Sequence, residues 1–229
     1  MKLEYMSIED NLQKLKDSFS KEIKLVAVSK TFDVEIIQQA YYVGQLDFAE
    51  NKVQELLAKS RKLENLKDIS WHFIGHLQSN KVKDLMKVPN LQMVHSVDRL
   101  KTANLMDKFL EVEGRILNIL VQVNTSGEES KFGCKPEETV ELVKNIAKLP
   151  YLRIQGLMTI GKHGGTKEET VQCFTKLRNI SVEIQNQNIP NVSMKELSMG
   201  MSQDYLLALE LGSTIIRIGE SIFGERLTN

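Results

Sequence analysis

Short apolar runs alternate with segments of helical spacing along almost the whole chain. The first run, Leu-Val-Ala-Val at residues 25–28, is bounded by Lys24 on one side and by Ser29 and Lys30 on the other. An apolar run bounded in this way predicts a strand that is buried on both faces, as strands of parallel sheets are. Ahead of it, residues 7–19 carry apolar side chains at helical spacing, which predicts a helix that precedes the first strand.

The same pattern continues to the end of the chain and predicts eight strands with helices between them. After the first, strands are predicted at residues 48–49, 69–77, 93–97, 116–123, 154–159, 197–199 and 214–218. Helices are predicted at residues 34–43, 53–63, 82–86, 100–109, 137–148, 168–185 and 205–211. This alternation predicts an α/β fold, a (β/α)8 barrel of the TIM type with an extra N-terminal helix.

The competing architecture is a doubly wound parallel sheet. Its usual marker, Gly-x-Gly-x-x-Gly after a strand, is absent from the sequence, and the glycine-containing segment 161–167 does not have the spacing of a phosphate-binding P-loop. Counting strands does not by itself exclude this alternative. No linker or change of composition divides the chain, so we predict a single domain over residues 1–229.

Composition narrows the class of protein. The 229 residues are 41% hydrophobic and 26% charged, and 30 basic residues balance 30 acidic ones. A neutral chain gives no electrostatic footprint for nucleic acid or an anionic membrane. The first residues show no targeting peptide and no run approaches the length of a membrane span, so a cytoplasmic protein is expected. Cys134 and Cys173 lack paired spacing and are predicted to be reduced and structural.

In a TIM-type barrel the functional residues lie at the carboxyl ends of the strands. The polar residues that the prediction places there are Lys30, Glu50, Asn51, His76, Gln78, Asn80, residues 198–202 and residues 217–221. This set combines one lysine, one arginine, amides and a backbone rich in glycine and serine. Those are the components of a site for a phosphate-bearing ligand.

Lys30 is the candidate for covalent chemistry. Partial burial at the end of a strand lowers the pKa of a lysine amine, and a neutral amine can attack an aldehyde. The alternative is that Lys30 extends its ammonium group to solvent from the strand end. The strand by itself does not distinguish the two.

The loops after the last two strands are the candidates for binding phosphate, because TIM-type barrels commonly bind phosphate there. Gly219 and the backbone N–H of Glu220 could converge on a dianion, and the Ser198 hydroxyl is a further donor. The alternative for Gly219 is a simple backbone turn.

Five segments together closely resemble one known family, the pyridoxal-phosphate homeostasis proteins. They are AVSK at residues 27–30, AENKVQE at 49–55, WHFIGHLQSNK at 71–81, SMGMSQD at 198–204 and GSTIIRIGESIFG at 212–224. The resemblance runs in order through nearly the full chain. The family looks like the N-terminal barrel of alanine racemase without its second domain, so the resemblance implies the same barrel.

The resemblance also implies a cofactor. Lys30 would hold pyridoxal 5'-phosphate as an internal aldimine, and Asn51 would lie beside it. Ser198, Gly219 and Glu220 would bind the phosphate. Glu220 departs from the small hydroxyl residue often found in the family, so its backbone N–H would serve while its carboxylate points away.

Two further residues of the expected site concern the cofactor ring. Arg217 would face the pyridine nitrogen. Because arginine can only donate, the nitrogen would stay unprotonated and the ring would be a poor electron sink, which disfavours carbanion chemistry. Within the methionine cluster at residues 194, 199 and 201, Met199 is predicted to contact the ring, although methionines more often serve as adaptable packing.

The expected function is therefore a non-catalytic one: reversible binding of pyridoxal 5'-phosphate in vitamin B6 and amino-acid homeostasis, with delivery to client enzymes. Racemisation needs a second acid or base on the opposite face of the ring, and the sequence assigns only Lys30. The alternative is a cofactor-dependent racemase or decarboxylase in which His76, Tyr205 or Lys131 supplies that group.

A metal hydrolase is a third hypothesis, which the spacing of the histidines disfavours. His72 and His76 on one strand would lie roughly 13 Å apart, at about 3.3 Å per residue, which one ion cannot bridge. His95 is interpreted as an ordinary polar position. Lys81, Lys83 and Lys87 are interpreted as a solvated helix face rather than a docking patch. A monomer is expected.

Overall fold

Eight parallel strands close into a barrel in a computed structural model, which describes residues 7–162 and 164–224. Each strand pairs with the next along the chain, and β8 pairs with β1 to complete the closure. The strands are β1 (Lys24–Val28), β2 (Asp47–Glu50), β3 (Ser70–Phe73), β4 (Leu91–Val97), β5 (Leu117–Gln122), β6 (Leu152–Met158), β7 (Val192–Ser198) and β8 (Ile215–Ile218). The predicted TIM-type barrel is confirmed, and the doubly wound sheet is excluded because the sheet is closed.

Helices follow the strands along the chain and cover the outside of the barrel. They are α1 (Ile8–Lys16), α2 (Val34–Tyr42), α3 (Val53–Lys62), α4 (Val82–Met86), α5 (Leu100–Glu113), α6 (Thr139–Ile146), α7 (Lys167–Asn186), α8 (Tyr205–Glu210) and α9 (Glu220–Phe223). The extra N-terminal helix is α1. A capping box between Ser7 and Asp10 defines its start, and the Asn11 side chain donates to the Ile222 carbonyl at 3.0 Å, which ties it to α9.

Alternation along the strands divides the buried side chains into two cores. On β1, Leu25 and Ala27 belong to a large core that lies between the barrel and the helices. Val26 and Val28 belong to a small core inside the barrel. Because successive side chains of a strand point to opposite faces, this assignment also tells which polar residues face the barrel interior.

Two predicted strand boundaries were wrong. The third strand ends at Phe73 rather than at residue 77, because the chain then crosses the end of β2: a Cβ added at Gly75 would overlap the Asn51 carbonyl oxygen. The seventh strand spans Val192–Ser198 rather than residues 197–199. Lys195 and Glu196 interrupt its apolar pattern, so the periodicity detected only its end.

The structure shows where the two cysteines lie. Cys134 and Cys173 are buried and unbridged, and burial raises the pKa of the Cys134 thiol to about 11, which disfavours the reactive thiolate. No helix in the ranges 7–162 and 164–224 has the length and apolar character needed to cross a membrane. The same ranges contain no cluster of three or more His, Cys, Asp or Glu side chains suited to a metal ion.

Candidate functional site

A cavity of about 380 Å³ opens at the carboxyl ends of the strands. Lys30 lines it together with Arg217, Gly219 and Glu220, which come from the opposite end of the chain. Its size falls in the range of small-molecule sites in proteins. The structure therefore brings four of the seven predicted site residues together in one place.

Lys30 enters the cavity because of the register of β1. Val26 and Val28 face the barrel interior, and continuing the alternation by two residues directs Lys30 inward as well. The Lys30 side chain is half-buried. Ser29, which lies between Val28 and Lys30, is completely buried and faces outward to the helix layer. The lysine therefore lies where the barrel interior opens to the cavity.

A buried charge cluster formed by Glu50, Glu55 and Lys59 lies behind Lys30. The ammonium of Lys59 donates to the Ser29 carbonyl at 2.8 Å, to Glu50 Oε1 at 2.8 Å and to Glu55 Oε1 at 2.7 Å. These three bonds use every hydrogen that an ammonium group carries. The Ser29 hydroxyl donates to Glu50 Oε1 at 2.7 Å, so the cluster holds the residue before Lys30 through both its backbone and its side chain.

The cluster also holds the residue after Lys30. The Thr31 N–H donates to Glu55 Oε1 at 2.7 Å. Thr31 has a φ of 71°, a conformation that β-branched residues rarely adopt and that persists only where neighbouring contacts fix it. The backbone on both sides of Lys30 is therefore clamped, which fixes the direction in which its side chain leaves the strand.

Glu50 differs from its sequence prediction in orientation. We expected it at the edge of the site, but it is the last residue of β2 and its side chain is completely buried in the helix layer. Burial raises the pKa of Glu50 to about 7, against the lowering influence of Lys59 and of the Ser29 hydroxyl. Its Oε2 atom has no hydrogen-bond partner among the described residues.

Arg217 lies on the inward face of β8, level with the floor of the cavity. It is only 3% exposed, and its guanidinium donates to Ser198 Oγ at 2.7 Å and to the Thr159 carbonyl at 2.9 Å. Burial lowers the pKa of Arg217 to about 10, with the charge of Asp204 acting in the opposite direction. The group is therefore a fixed cation and a hydrogen-bond donor at neutral pH.

Gly219 directly follows β8 and lies unusually close to the backbone of β1. A Cβ added there would lie 2.9 Å from the Val28 carbonyl oxygen and 3.4 Å from the Val28 Cβ. Any larger residue would have to displace strand β1. The next residue, Glu220, begins α9 and its side chain is exposed, so its carboxylate is free to point away from the cavity while its backbone faces the helix start.

Three predicted site residues lie elsewhere. The Ser198 hydroxyl is completely buried and bonds to Arg217 and, at 3.0 Å, to His95 Nδ1, so it is not available as the predicted phosphate donor. The Met199 side chain is completely buried in the large core outside the barrel, which corrects its expected contact with the ring. Asn51 lines a neighbouring cavity of about 370 Å³, together with His76.

Other residues that line the Lys30 cavity received no site role from the sequence. Ser202, Lys162 and Asp204 are among them. Ser202 lies in the range 198–202 that the sequence placed at the carboxyl ends, but the phosphate contact was predicted for Ser198, which lies in the predicted strand 197–199. The actual strand ends at Ser198, and the chain reaches the cavity only after the turn at Gly200, whose φ is 95°.

The three candidates for a second acid or base are separated by the fold. Lys131 lines the Lys30 cavity. His76 instead stacks on Phe132 with ring centroids 3.7 Å apart, and its Nε2 accepts from Arg99 at 3.0 Å. Tyr205 lies within 3.3 Å of the Ser18 hydroxyl, near the N-terminal helix.

Fold and site define the class of protein: the chain belongs to the family described as "Alanine racemase, N-terminal domain", whose model matches residues 4–227. Within that class it is a member of the pyridoxal phosphate homeostasis proteins. The protein of that name from Mus musculus is 45% identical over 214 residues, covering 89% of this chain and 77% of the relative. The protein of that name from Aquifex aeolicus is 42% identical, covering 89% and 87%.

Solved structures agree with this assignment. PipY of Synechococcus elongatus PCC7942, in a structure described as having PLP bound, is 35% identical, covers 95% of this chain and all of its own, and gives a TM-score of 0.87. Alanine racemase of Clostridium difficile 630 is 17% identical, with a TM-score of 0.78 over 97% of this chain and 57% of its own. The likeness to alanine racemase shows that the two proteins share the barrel fold.

Proposed function

We propose that this chain binds pyridoxal 5'-phosphate through Lys30 and acts in the homeostasis of that cofactor. The observation that carries the proposal is the single cavity that joins the Lys30 amine, the fixed Arg217 cation and the Gly219 backbone. These groups suit an aldehyde, a pyridine nitrogen and a phosphate respectively. The relatives named for this cofactor, and PipY described with PLP bound, support the same ligand.

Each residue has a separate part in holding the cofactor. The Lys30 amine would hold the cofactor through its aldehyde carbon. The Gly219 and Glu220 backbone at the start of α9 binds the phosphate, because the first N–H groups of a helix have no partner within it. Arg217 would donate to the ring nitrogen, which would leave that nitrogen without a proton. When bound, the cofactor supplies a reactive aldehyde and a conjugated ring.

The proposed role is storage and delivery rather than catalysis. Arg217 opposes protonation of the ring nitrogen and so weakens the ring as an electron sink. Lys131 keeps the racemase alternative open, since it lines the same cavity as Lys30 and its amine could serve as the second acid or base. Exchange of the α-proton of alanine or another common amino acid in deuterated solvent, followed by NMR, would favour the enzyme; its absence would favour storage.

The first test is to map where the cofactor attaches. The protein is incubated with pyridoxal 5'-phosphate, reduced with borohydride and digested, and the modified peptide is identified by mass spectrometry. We expect label confined to Lys30, because this lysine is half-buried at the barrel mouth and the residues on both sides of it are held by hydrogen bonds. Label spread over surface lysines, or no label, would contradict the proposed function.

Gly219 offers a second test that concerns the phosphate end of the cavity. We expect Gly219→Ala to weaken binding of pyridoxal 5'-phosphate about tenfold, because its Cβ would push against the Val28 carbonyl and overpacking of this kind costs about 1–3 kcal/mol. Fluorescence titration measures the change. Gly161→Ala is the matched control: it lies at the same cavity, and its Cβ would meet the flexible Asp204 side chain at 3.3 Å.

Three accompanying expectations stay predictions: a cytoplasmic location, a monomeric state, and transfer of the cofactor to client enzymes. The balanced charge supports a partner other than nucleic acid or an anionic membrane. Lys83 and Lys87 are exposed, and Lys87 pairs with Asp84 at 3.1 Å, which supports a solvated helix face at this position. Mixing the loaded protein with an apo-enzyme that requires the cofactor, and following recovery of its activity, tests delivery.

A further inference from the structure

A continuous chain of hydrogen bonds runs through the barrel interior and ends on Arg217. Asp47 Oδ1 lies 2.9 Å from His72 Nε2, and His72 Nδ1 lies 2.9 Å from His95 Nε2. His95 Nδ1 lies 3.0 Å from Ser198 Oγ, which in turn accepts from Arg217 at 2.7 Å. We call these five residues the interior chain. They come from five different strands, so no sequence motif joins them.

The chemistry of its two ends gives the interior chain one direction. Arginine can only donate, and an ionised carboxylate can only accept. Ser198 accepts from Arg217 and therefore donates its own hydrogen to His95 Nδ1. His95 then donates from Nε2 to His72 Nδ1, and His72 donates from Nε2 to Asp47. Every hydrogen in this arrangement is used, and both imidazoles are neutral with the hydrogen on Nε2.

The charges around the interior chain agree with that arrangement. Burial holds the pKa of His95 well below its usual range, and the charges of Arg217 and Lys24 act in the same direction. The pKa of Asp47 lies below its usual value: burial acts to raise it, while the hydrogen bond from His72 and the charge of Lys24 act to lower it. The only carboxylate in direct contact with the imidazoles, within the described residues, is Asp47.

The two ends of the interior chain lie at opposite faces of the barrel. Arg217 lines the Lys30 cavity at the carboxyl ends of the strands. Asp47 lines a different cavity, of about 450 Å³, formed by the segments that lead into β1 and β2 at the amino-terminal face. His72, His95 and Ser198, which connect the two ends, are completely buried. The interior chain thus couples a partly exposed carboxylate to the cation beneath the proposed ligand.

We propose that Asp47, His72, His95 and Ser198 are positioning residues, which orient the Arg217 guanidinium under the cofactor ring and balance its charge from the opposite face of the barrel. The proposal rests on the proposed function for its statement about the ring. The direction of the hydrogen bonds does not depend on the cofactor. A chain of buried groups that are all satisfied is rigid, and losing one member leaves its neighbours without partners.

The cofactor-free protein tests the direction of the interior chain. Nitrogen-15 NMR of labelled histidine distinguishes the two neutral tautomers and the cation. We expect the hydrogen of each ring, His72 and His95, to lie on Nε2, as the direction of the interior chain requires. A cation, or hydrogen on Nδ1 of either ring, would overturn the proposal. This outcome is independent of whether the protein binds pyridoxal 5'-phosphate at all.

The loaded protein tests the charge balance. Asp47→Asn keeps an acceptor for His72 but removes the negative charge, so the field of Arg217 at the ring becomes more positive. We expect the pKa of the bound cofactor chromophore, read from its visible absorbance, to fall by about 0.5 to 1 unit. Asp17→Asn is the control, because Asp17 lines the same amino-terminal cavity outside the interior chain. A chromophore pKa that Asp47→Asn leaves unchanged would overturn the charge-balance role.

Ser198 provides a test by rescue. Ser198→Ala removes the link between His95 and Arg217, and we expect it to weaken cofactor binding about tenfold and to shift the chromophore pKa. Ser198→Thr keeps the hydroxyl and should restore both to within about twofold of the original protein. Equal effects of Ala and Thr would indicate a packing role and overturn the proposal. Circular dichroism confirms that each variant is folded, and the histidine NMR is repeated on any variant that binds no cofactor.

Discussion

Lys30→Arg is expected to abolish covalent retention of pyridoxal 5'-phosphate while leaving the barrel folded. Arginine keeps the positive charge and much of the length, but its guanidinium stays protonated and cannot condense with an aldehyde. We expect no borohydride-fixed label at residue 30 and no visible band of the conjugated imine. The remaining affinity, from the phosphate and ring contacts, should be lower by roughly 100-fold, or about 3 kcal/mol.

Lys131→Arg is the matched control for this experiment, since Lys131 lines the same cavity. It should keep both the label on Lys30 and the visible band. Transfer of the label to Lys131 in the Lys30→Arg variant would show that the cavity, rather than the clamp around Lys30, selects the reacting amine. An unchanged band in Lys30→Arg would contradict the assignment of Lys30.

Lys59→Met is expected to destabilise the folded protein by about 3 kcal/mol at pH 8, because it leaves Glu50 buried without its cation. Glu50 and Lys59 have side chains that are 0% and 9% exposed and lie 2.8 Å apart, so solvent cannot replace the lost partner. The loss should shrink at pH 5, where Glu50 takes up a proton and is buried as a neutral acid. Urea unfolding at both pH values measures it.

The pH dependence of the unmodified protein follows from the same carboxyl. The pKa of Glu50 is raised from 4.5 to about 7 by burial, so the folded state binds its proton more tightly than the unfolded state. This contribution to the free energy of unfolding is complete below pH 4.5 and is lost as the pH rises through 7, by at most about 3 kcal/mol. Glu50→Gln should remove this pH dependence.

Two further variants test whether the loss of stability in Lys59→Met comes from its pairing with Glu50. Lys62→Met, on the exposed side of the same helix, should change stability by less than about 0.5 kcal/mol. The double variant Lys59→Met with Glu50→Gln should recover most of the loss at pH 8, because the completely buried Glu50 carboxylate is gone. A loss that is equal at pH 5 and pH 8 would contradict the role assigned to Glu50.

The barrel was predictable because its signals are local. Each strand carries an apolar run and each helix an amphipathic pattern, and eight such units in series leave few ways to bury them all. One misplaced boundary occurs where polar residues interrupt the pattern, as Lys195 and Glu196 do in β7. The other, the end of β3, is set by the close crossing of Gly75 over the end of β2. The position of Lys30 was predictable for the same reason: it follows an apolar strand by two residues, and alternation directs it inward.

The site was predicted less completely than the barrel. Arg217 and Gly219 were placed correctly at the cavity, since both lie at the end of a strand whose register is clear. Ser198 and Met199 were not, because their roles depend on which face of β7 each presents and on what lies across the barrel. His95 was interpreted as an ordinary polar residue, and nothing near it in sequence indicates its bonds to His72 and Ser198.

The sequence by itself determined the parallel barrel, the lysine at the end of its first strand and, through resemblance, the expected cofactor. Only the tertiary structure decided how the charged groups are paired. Asp47, His72, His95, Ser198 and Arg217 meet inside the barrel, and Glu50 meets Lys59 outside it. Periodicity tells which face of a strand a residue occupies. It does not tell that residues such as His95 and Ser198, which lie 103 positions apart, form a hydrogen bond inside the barrel, because closure of the sheet brings them together.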